Sequence, residues 1–511
     1  MRRFFVWAAA LCLASPSAVG AQTYTFLDTA PEGEETHFFV EFEVPEEIEG
    51  EPVVEIEVRH ASLTPGNVLD FGLDDPNGFR GWGGGNTEPA IVGVDAASRS
   101  YVPGPIPPGT WRVVVGKANV ATTPAEYEIE IFLRTEPTLA PQPERAPYVE
   151  APALEVGRRW YAGDFHVHSR ESGDARPSLD EIADFARARG LDFVVITDHN
   201  THTAADFFAD AQARHPDVLF VPGVEFTTYA GHANAIGATE WVNHRIGVEG
   251  ATIEAAFDAY VDAGAIVSIN HPVLELGSAC IGCAWGHEVD PERVGAVEIE
   301  SGDIDTVGFF FVEKSLAFWD ELLDAGSRAV AVGGSDDHKA GVDLDGTQSP
   351  IGSPTTMVEA DELSVSAILA GMRAGRTAVK MGHPDDPLAY VDVDPETRGG
   401  RTRLLLRVEG GVPGQYVWLV ENGVRVERFT LEQATETIEV EVRPERDSRY
   451  RVEVTAGGRP RAVSSHVFVA AAEKKKGGCD AASAGEVPSA LALAFVGYAL
   501  IEARRARRRR A

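Results

Sequence analysis

The sequence predicts an α/β protein: a distorted β/α barrel, read as seven-stranded, flanked by two small all-β sandwich domains. Three observations carry that prediction. Residues 158–385 alternate short apolar runs with helix-period segments. Residues 22–140 and 386–470 hold only short runs of alternating apolar and polar residues, and the histidines and acids of the middle segment gather at the ends of its strand-like runs. The 511 residues suit about three domains at roughly 150 residues each.

Residues 1–21 join a basic start, an apolar run from Phe4 to Ala14 and the small-residue exit Val19-Gly20-Ala21, the pattern of a secretory signal peptide cleaved after Ala21. Leu11 stands before Cys12 where a lipoprotein site wants a small residue, so Cys12 is not read as an acylation site. Residues 22–140 follow with HFFVEFEV, VVEIEV, WRVVVG and YEIEIFL, period-two runs broken by Gly, Pro and Asn, as in an antiparallel sandwich. A Pro-rich linker, 141–157, leads into the barrel segment.

There SLDEIADFARARG carries its own helix signals: Ser178 and Glu181 form a capping box, Leu179, Ile182, Phe185 and Ala186 make one apolar face, and Gly190 ends it. LDFVVITDHN reads as a buried strand. The alternation repeats through VLFVPGVEF, TIEAAFDAYVDAG, AIVSINHP, AVEIES, FVEKSLAFWDELLDAG and AVAVGGSDDH, which implies a mainly parallel sheet closed or nearly closed into a barrel. TRLLLRVEG, QYVWLVENG, TIEVEV and YRVEV then return to short alternation in the second β-domain, 386–470.

Residues 471–511 end with an apolar stretch from Val487 to Ile501 and an arginine cluster from Arg504 to Arg510, read as an export stop whose basic end stays in the cytoplasm. With Gly478-Cys479 in front, this tail resembles the C-terminal sorting tags of myxobacterial surface proteins, which implies Cys479 as the processing and anchoring point. A plain single-pass tail anchor is the alternative. The two ends together imply an exported protein at the cell surface or outer envelope, anchored or released. They also mask the charge of the body: removing +2 for residues 1–21 and +5 for 473–511 from the formal −34 leaves −41 on residues 22–472. Such a surface repels nucleic acid and anionic lipid.

The chemistry lies in the middle segment. His166 and His168, two residues apart in a strand, face one side. Asp198-His199 end the second strand, Glu225 the third, His232 lines a short fourth in GHANAIG, His271 ends the fifth, and Asp336 and His338 end the seventh. In a β/α barrel those ends converge on one rim, so the residues share one site. Imidazoles mixed with carboxylates suit zinc, manganese or iron and are too many for one tetrahedral ion, so two or three divalent transition-metal ions are implied. Ions about 3.5–4 Å apart lower the pKa of a shared water and clamp the attacked group from both sides. No Gly-rich nucleotide loop or G-x-S-x-G elbow competes in the sequence, and no catalytic residue separate from the metal ligands is assigned.

HxH, TDHN, PGVEF, GHANAIG, NHP and GGSDDH in this order resemble the PHP family, named for polymerase and histidinol-phosphatase domains. VLDFGLDDPNGFRGWGGG, GPIPPGTWRVVVG, GSPTTMV and LAGMRAGRTAV are similar to its carbaryl-hydrolase branch, the CehA/McbA-type metallohydrolases. The resemblance implies a metal-dependent hydrolase in which His166, His168, Glu225 and Asp336 hold one ion, and Glu225 bridges to a second held by His232 and His271. Asp174, His199 and His338 would hold a third. Many members place that acid five residues after the second histidine, whereas Asp174 stands six after His168, so two ions stay an alternative. Asp198 is expected to orient an imidazole rather than bind metal.

Arg170 and Lys339 lie beside ligand motifs and are candidates to meet an anionic substrate, with solvated rim charges as the alternative. His202, His244 and His287 stay unassigned. Cys280 and Cys283, in CIGC, are expected to form a local disulfide or to pack their loop, since no second thiol pair completes a zinc set. Two functions of different class follow. One is an exported metal-dependent hydrolase of a small ester, phosphoester before carboxylic ester or carbamate. The other is a surface protein whose β-domains bind a polymer while the barrel stays idle.

Overall fold

The computed structural model describes residues 21–277, 280–306, 308–342, 349–394 and 401–471. The expected signal peptide up to Gly20 and the tail from Ala472 onward lie outside the described residues. No helix among the described residues is long and apolar enough to cross a membrane.

Residues 21–134 form two four-stranded antiparallel sheets. In hydrogen-bonded order, one holds Ala21–Thr29, Glu126–Arg134, Glu55–Ser62 and Ala90–Gly93; the other holds His37–Val44, Gly109–Asn119, Val68–Asp75 and Gly78–Gly84. Period-two alternation gives each sheet an apolar inner face. Val40, Phe42 and Val44 of one meet Ile129, Ile131 and Leu133 of the other around the buried Trp111. The Trp111 indole stays satisfied by donating to the Pro107 carbonyl at 2.9 Å.

The central sheet begins with Val156–Val167, which pairs in parallel with Phe193–Ile196, itself parallel to Leu219–Thr228. Gly231–Ile236 then runs antiparallel to both Leu219–Thr228 and Ile266–Ile269, and parallel pairing resumes through Ala296–Ser301 and Val330–Gly334. The reversal departs from the mainly parallel sheet expected, and its cause is local. Thr228 pairs with Gly231 across Tyr229-Ala230, a link too short for a crossover helix. Gly231 has φ 149° and a Cβ there would meet Trp285 at 2.7 Å, so the hairpin depends on glycine. The ring expected from the sequence is not closed by a continuous ladder either. Past Val330–Gly334, the ladder pairing with Val156–Val167 among the described residues is one isolated parallel bridge, Val167 with Asp337, in which the Asp336 N–H donates to the His166 carbonyl at 2.9 Å and the His168 N–H to the Asp337 carbonyl at 3.0 Å.

Helices cover this sheet. In Leu179–Ala188 the Ser178 side chain accepts from the Glu181 backbone N–H while the Glu181 carboxylate takes the Ser178 N–H, a reciprocal cap worth about 1 kcal/mol. Ile182, Ala183 and Ala186 are buried and Phe185 is half-buried against the same cluster. Thr252 and Ser364 cap Ile253–Asp262 and Val365–Arg373 in the same manner, each accepting from the backbone three residues on.

The carboxy-terminal strands stack as two layers around a shared core, as in the small sandwich expected, and one layer is joined to the central sheet. Leu388–Val393, Thr402–Glu409 and Glu436–Val442 form one sheet, and Arg459–Ser464, Ser448–Ala456, Tyr416–Glu421 and Val424–Thr430 run in order as another layer. Leu406, Val417, Leu419 and Val452 lie in the core they share. The second layer is not independent: Thr355–Glu362 pairs antiparallel with both Val156–Val167 and Thr377–Lys380, and Thr377–Lys380 pairs antiparallel with Arg459–Ser464, so the central sheet continues into it. Side chains reinforce the join. The Ser465 hydroxyl accepts from the Ala331 N–H at 2.9 Å, and the buried Arg451 guanidinium reaches both Asp320 oxygens, at 2.8 and 2.9 Å, on helix Val312–Asp324.

Candidate metal centre

Each strand end delivers its donor for a reason readable in the backbone. His166 and His168 stand at the end of Val156–Val167 and just past it, Glu225 inside Leu219–Thr228, His232 on the returning hairpin strand, and His271 just past Ile266–Ile269. Asp336 and His338 follow Val330–Gly334. His271 and Asp336 hold left-handed backbone, with φ 28° and 56°, a strained geometry that clusters at functional sites.

Glu225 is the hub. Its Oε1 lies 3.4 Å from His166 Nε2, 3.1 Å from His232 Nδ1 and 3.6 Å from His271 Nε2. Its Oε2 lies 3.5 Å from His168 Nε2 and 2.7 Å from His199 Nδ1. Asp336 Oδ1 lies 3.3 Å from His166 Nε2 and 3.0 Å from His168 Nε2. Asp174, despite its longer spacing, places Oδ2 3.3 Å from Nε2 of both His199 and His338. All nine donors named from the sequence therefore meet. Their donor atoms group, within 4.8 Å, as His166, His168 and Glu225; as His166, His271 and Asp336; and as His168, Asp174, His199 and His338. The grouping is more interlocked than the resemblance implies, with His168 reaching the Asp174 group and His271 reaching Asp336.

The donors fit a bound cation. His166 Nε2, both ring nitrogens of His168, Glu225 Oε2 and Asp336 Oδ1 are buried and, although carboxylate oxygens and imidazole nitrogens approach to between 2.7 and 3.5 Å, none of these atoms makes a well-directed hydrogen bond among the described residues. Leaving such atoms unmatched costs about 1–3 kcal/mol each, and a positive ion would satisfy them together. On three of the rings the outer nitrogen is already engaged. His271 Nδ1 lies 3.0 Å from the Cys283 carbonyl, His338 Nδ1 2.8 Å from the Asp336 carbonyl, and His166 Nδ1 3.3 Å from Glu298. Such contacts fix the ring and leave Nε2 for the centre. The charges respond to one another. Burial opposes a proton on His166, but Asp336, Glu225 and Glu298 outweigh it and hold its pKa well above the ordinary value. Burial takes His168 down to about 3, with neighbouring His338 adding to the effect.

One expectation changes, and two open alternatives are decided. Asp198 makes no hydrogen bond to an imidazole among the described residues; its buried carboxylate accepts from the Ser169 N–H and hydroxyl, both at 2.7 Å, and so fixes the turn that follows His168. The turn also sends Arg170 outward, where it is exposed and does not line the cavity above the donors, unlike Lys339. Cys280 and Cys283 form the local disulfide expected from the sequence, so Cys283 offers no thiolate although it lies near His232 and His271.

Other residues of the site were not read from the sequence. Glu298, buried in Ala296–Ser301, pairs with His166 and also accepts the His271 N–H at 2.8 Å. Asp164 accepts from the Ser335 N–H at 3.0 Å and the Gly352 N–H at 2.7 Å, tying the first strand to the segment that carries Asp336. The signal for Glu298 was present as an acid in an otherwise apolar strand. The cavity, about 560 Å³, is lined by Asp174, His199, His232, Asp336 and His338 together with His37, Asp70 and Trp82 of the amino-terminal sheets and Tyr229, Leu274 and Ile281 of the central segment. The Tyr229 hydroxyl donates to Asp70 at 2.7 Å across that boundary.

Residues 164–267 match the family model of the PHP domain. No curated protein matches the chain. Among solved structures, similarity extends to a two-domain protein of Bacteroides vulgatus containing a predicted PHP-like metal-dependent phosphoesterase, at 19% identity and TM-score 0.37 over 64% of this chain and 99% of that one. It extends also to an amidohydrolase of Chromobacterium violaceum with bound sulfate and no metal, at 19% identity and TM-score 0.24 over 37% of this chain and 93% of that one. The segment from Asp164 to Val267, which contributes His166, His168, Asp174, His199, Glu225 and His232 to the donor set, is on that match supported as a PHP domain.

Proposed function

We propose that the chain is an exported metal-dependent hydrolase of a small ester, with phosphoester the first candidate. The observation that carries this reading is the convergence of five imidazoles on Glu225 beside Asp336 and Asp174, at the floor of a cavity large enough for a small molecule. His166, His168, Glu225, His232, His271 and Asp336 would hold two ions, and Asp174, His199 and His338 a third. When bound, divalent ions of the zinc, manganese or iron type supply Lewis acidity and lower the pKa of water at the site. The chain's own residues set the rest. Glu298 and the Cys283 carbonyl hold the rings of His166 and His271, and Lys339, Trp82 and Tyr229 line the cavity.

A second reading, carboxylic ester or carbamate, is favoured by the apolar side of the cavity, where Trp82, Leu274 and Ile281 suit an uncharged leaving group. It accords with the carbaryl-hydrolase resemblance of the flanking motifs. The acidic body argues against nucleic acid as substrate. The deciding experiment compares p-nitrophenyl phosphate, bis-p-nitrophenyl phosphate, an aryl acetate and an aryl carbamate, each with manganese, zinc or iron. Turnover of phosphoesters supports the first reading, and turnover of acyl substrates alone supports the second. No turnover with metal bound favours a binding protein.

A further inference from the structure

The loop that presents Asp174 runs between strand Val156–Val167 and helix Leu179–Ala188 and is gripped from two sides. The barrel side supplies Asp198, which holds Ser169, and the His338 carbonyl, which accepts the Arg176 N–H at 3.3 Å. The other side is Arg99, more than seventy residues earlier, in the chain segment between the amino-terminal strands. Its Nη1 donates to the carbonyls of Ala175 at 2.8 Å and Ser172 at 3.5 Å, and its Nη2 donates to the Gly173 carbonyl at 3.1 Å. Those three carbonyls bracket Asp174. Turned toward one point they repel one another, and a planar cation with a fork of donors makes that arrangement favourable.

The guanidinium is itself aimed. Asn86 Oδ1 accepts from Nη2 at 3.0 Å, and the Glu88 carboxylate lies 3.1 Å from Nε. Next to it, Ser100 adopts left-handed backbone at φ 69° and directs its N–H to Glu171 Oε2 at 3.1 Å and its hydroxyl to the Glu171 carbonyl at 2.5 Å. The two surfaces are also in contact without space between them. A Cβ on Gly173 would lie 2.1 Å from the Gly83 carbonyl oxygen, so only glycine lets the loop seat against the Trp82–Gly85 stretch that walls the cavity.

We propose that Arg99 is a positioning residue for Asp174: the amino-terminal sheets lock the loop in the one conformation that brings the Asp174 carboxylate to His199 and His338, and thereby complete the site. The consequence for metal rests on the metal-dependent reading above; the clamp itself does not. In the full chain without metal, Arg99→Ala should speed amide exchange across residues 169–176 at least tenfold while strand Phe193–Ile196 stays protected. In a cobalt(II) titration followed by visible absorption, its last equivalent should bind at least tenfold more weakly than in the unaltered chain, with earlier equivalents unchanged. Added guanidinium ion should restore that last equivalent. Gly173→Ala, which unseats the loop while keeping Arg99, should give the same pair of shifts and serves as the readout should Arg99→Ala fail to fold. Unchanged loop exchange, or superimposable cobalt titrations, would overturn the proposal. An unaltered chain that takes up no cobalt while the exchange difference persists would instead remove the metal reading and uphold the clamp.

Discussion

His199 Nδ1 lies 2.7 Å from Glu225 Oε2, and the Thr227 hydroxyl lies 2.6 Å from the same nitrogen. One carboxylate thus couples the Asp174 side of the site to the His166 side. Glu225→Gln keeps the volume and removes the charge that five imidazoles share. Metal content should fall by at least one ion per chain and activity on the order of 10²-fold or more, with melting temperature nearly unchanged. Elemental analysis beside circular dichroism checks this, and full metal retention would remove Glu225 from the donor set.

Asp198 predicts a different behaviour because it works through the backbone. Removing its carboxylate strands the Ser169 N–H in a buried turn. Asp198→Ala should cost about 1–3 kcal/mol in urea denaturation, and Ser169→Ala, which keeps the backbone bond to Asp198 while losing the hydroxyl's bond to Asp198 and the one it accepts from the Glu171 N–H at 3.1 Å, should cost less. Equal costs would mean that the backbone bond contributes little.

Stability should respond to acid through buried histidines outside the donor set. Burial, with Arg245 and Lys117 adding to it, takes His37 down to about 3, and burial takes His60 down to about 4. Unfolded, both titrate near 6.5. Below that pH the unfolded chain takes up protons that the folded chain refuses, so their contribution is complete above pH 6.5 and is lost as the pH falls toward 4. Asp70 and Asp164, each raised to about 6 by burial, act with the opposite sign between their ordinary 3.8 and 6. The measurement is therefore a difference: melting temperature should drop more steeply between pH 7 and pH 5 in the unaltered chain than in His37→Gln/His60→Gln. Parallel curves would discard the assignment.

The ends of the chain give a prediction that needs no structure. A mature protein isolated from its source should begin at Gln22, and Cys479→Ala should alter its processing or release from the envelope while turnover stays the same. Mass spectrometry of the mature chain decides both points. An intact arginine tail on the surface protein would favour the plain tail anchor.

What could be read from the sequence was what local chemistry controls. The Ser178–Glu181 cap lies within one helical turn, and the histidines were visible as a set because strand ends in this topology share a rim. The reversal at Tyr229-Ala230 was hidden because a short alternating run does not reveal its direction. Asp198 was assigned to an imidazole although a serine one residue past His168 was nearer. Glu298 and Arg99 act on residues that only the folded chain brings close, 132 and 74 positions away in the bonds to His166 and to Gly173. No periodicity marks such pairs.

The continuation of the central sheet through Thr377–Lys380 into Arg459–Ser464 settles what a shortened chain would expose. A break near residue 385 would bare a row of unpaired backbone donors and acceptors on Thr377–Lys380, together with the buried faces of Ala378 and Val379. Open edges of that kind recruit strands from other molecules. The carboxy-terminal layer is thus a selvedge, woven into the sheet it borders, and a truncated chain is expected to precipitate rather than to survive as a smaller soluble unit.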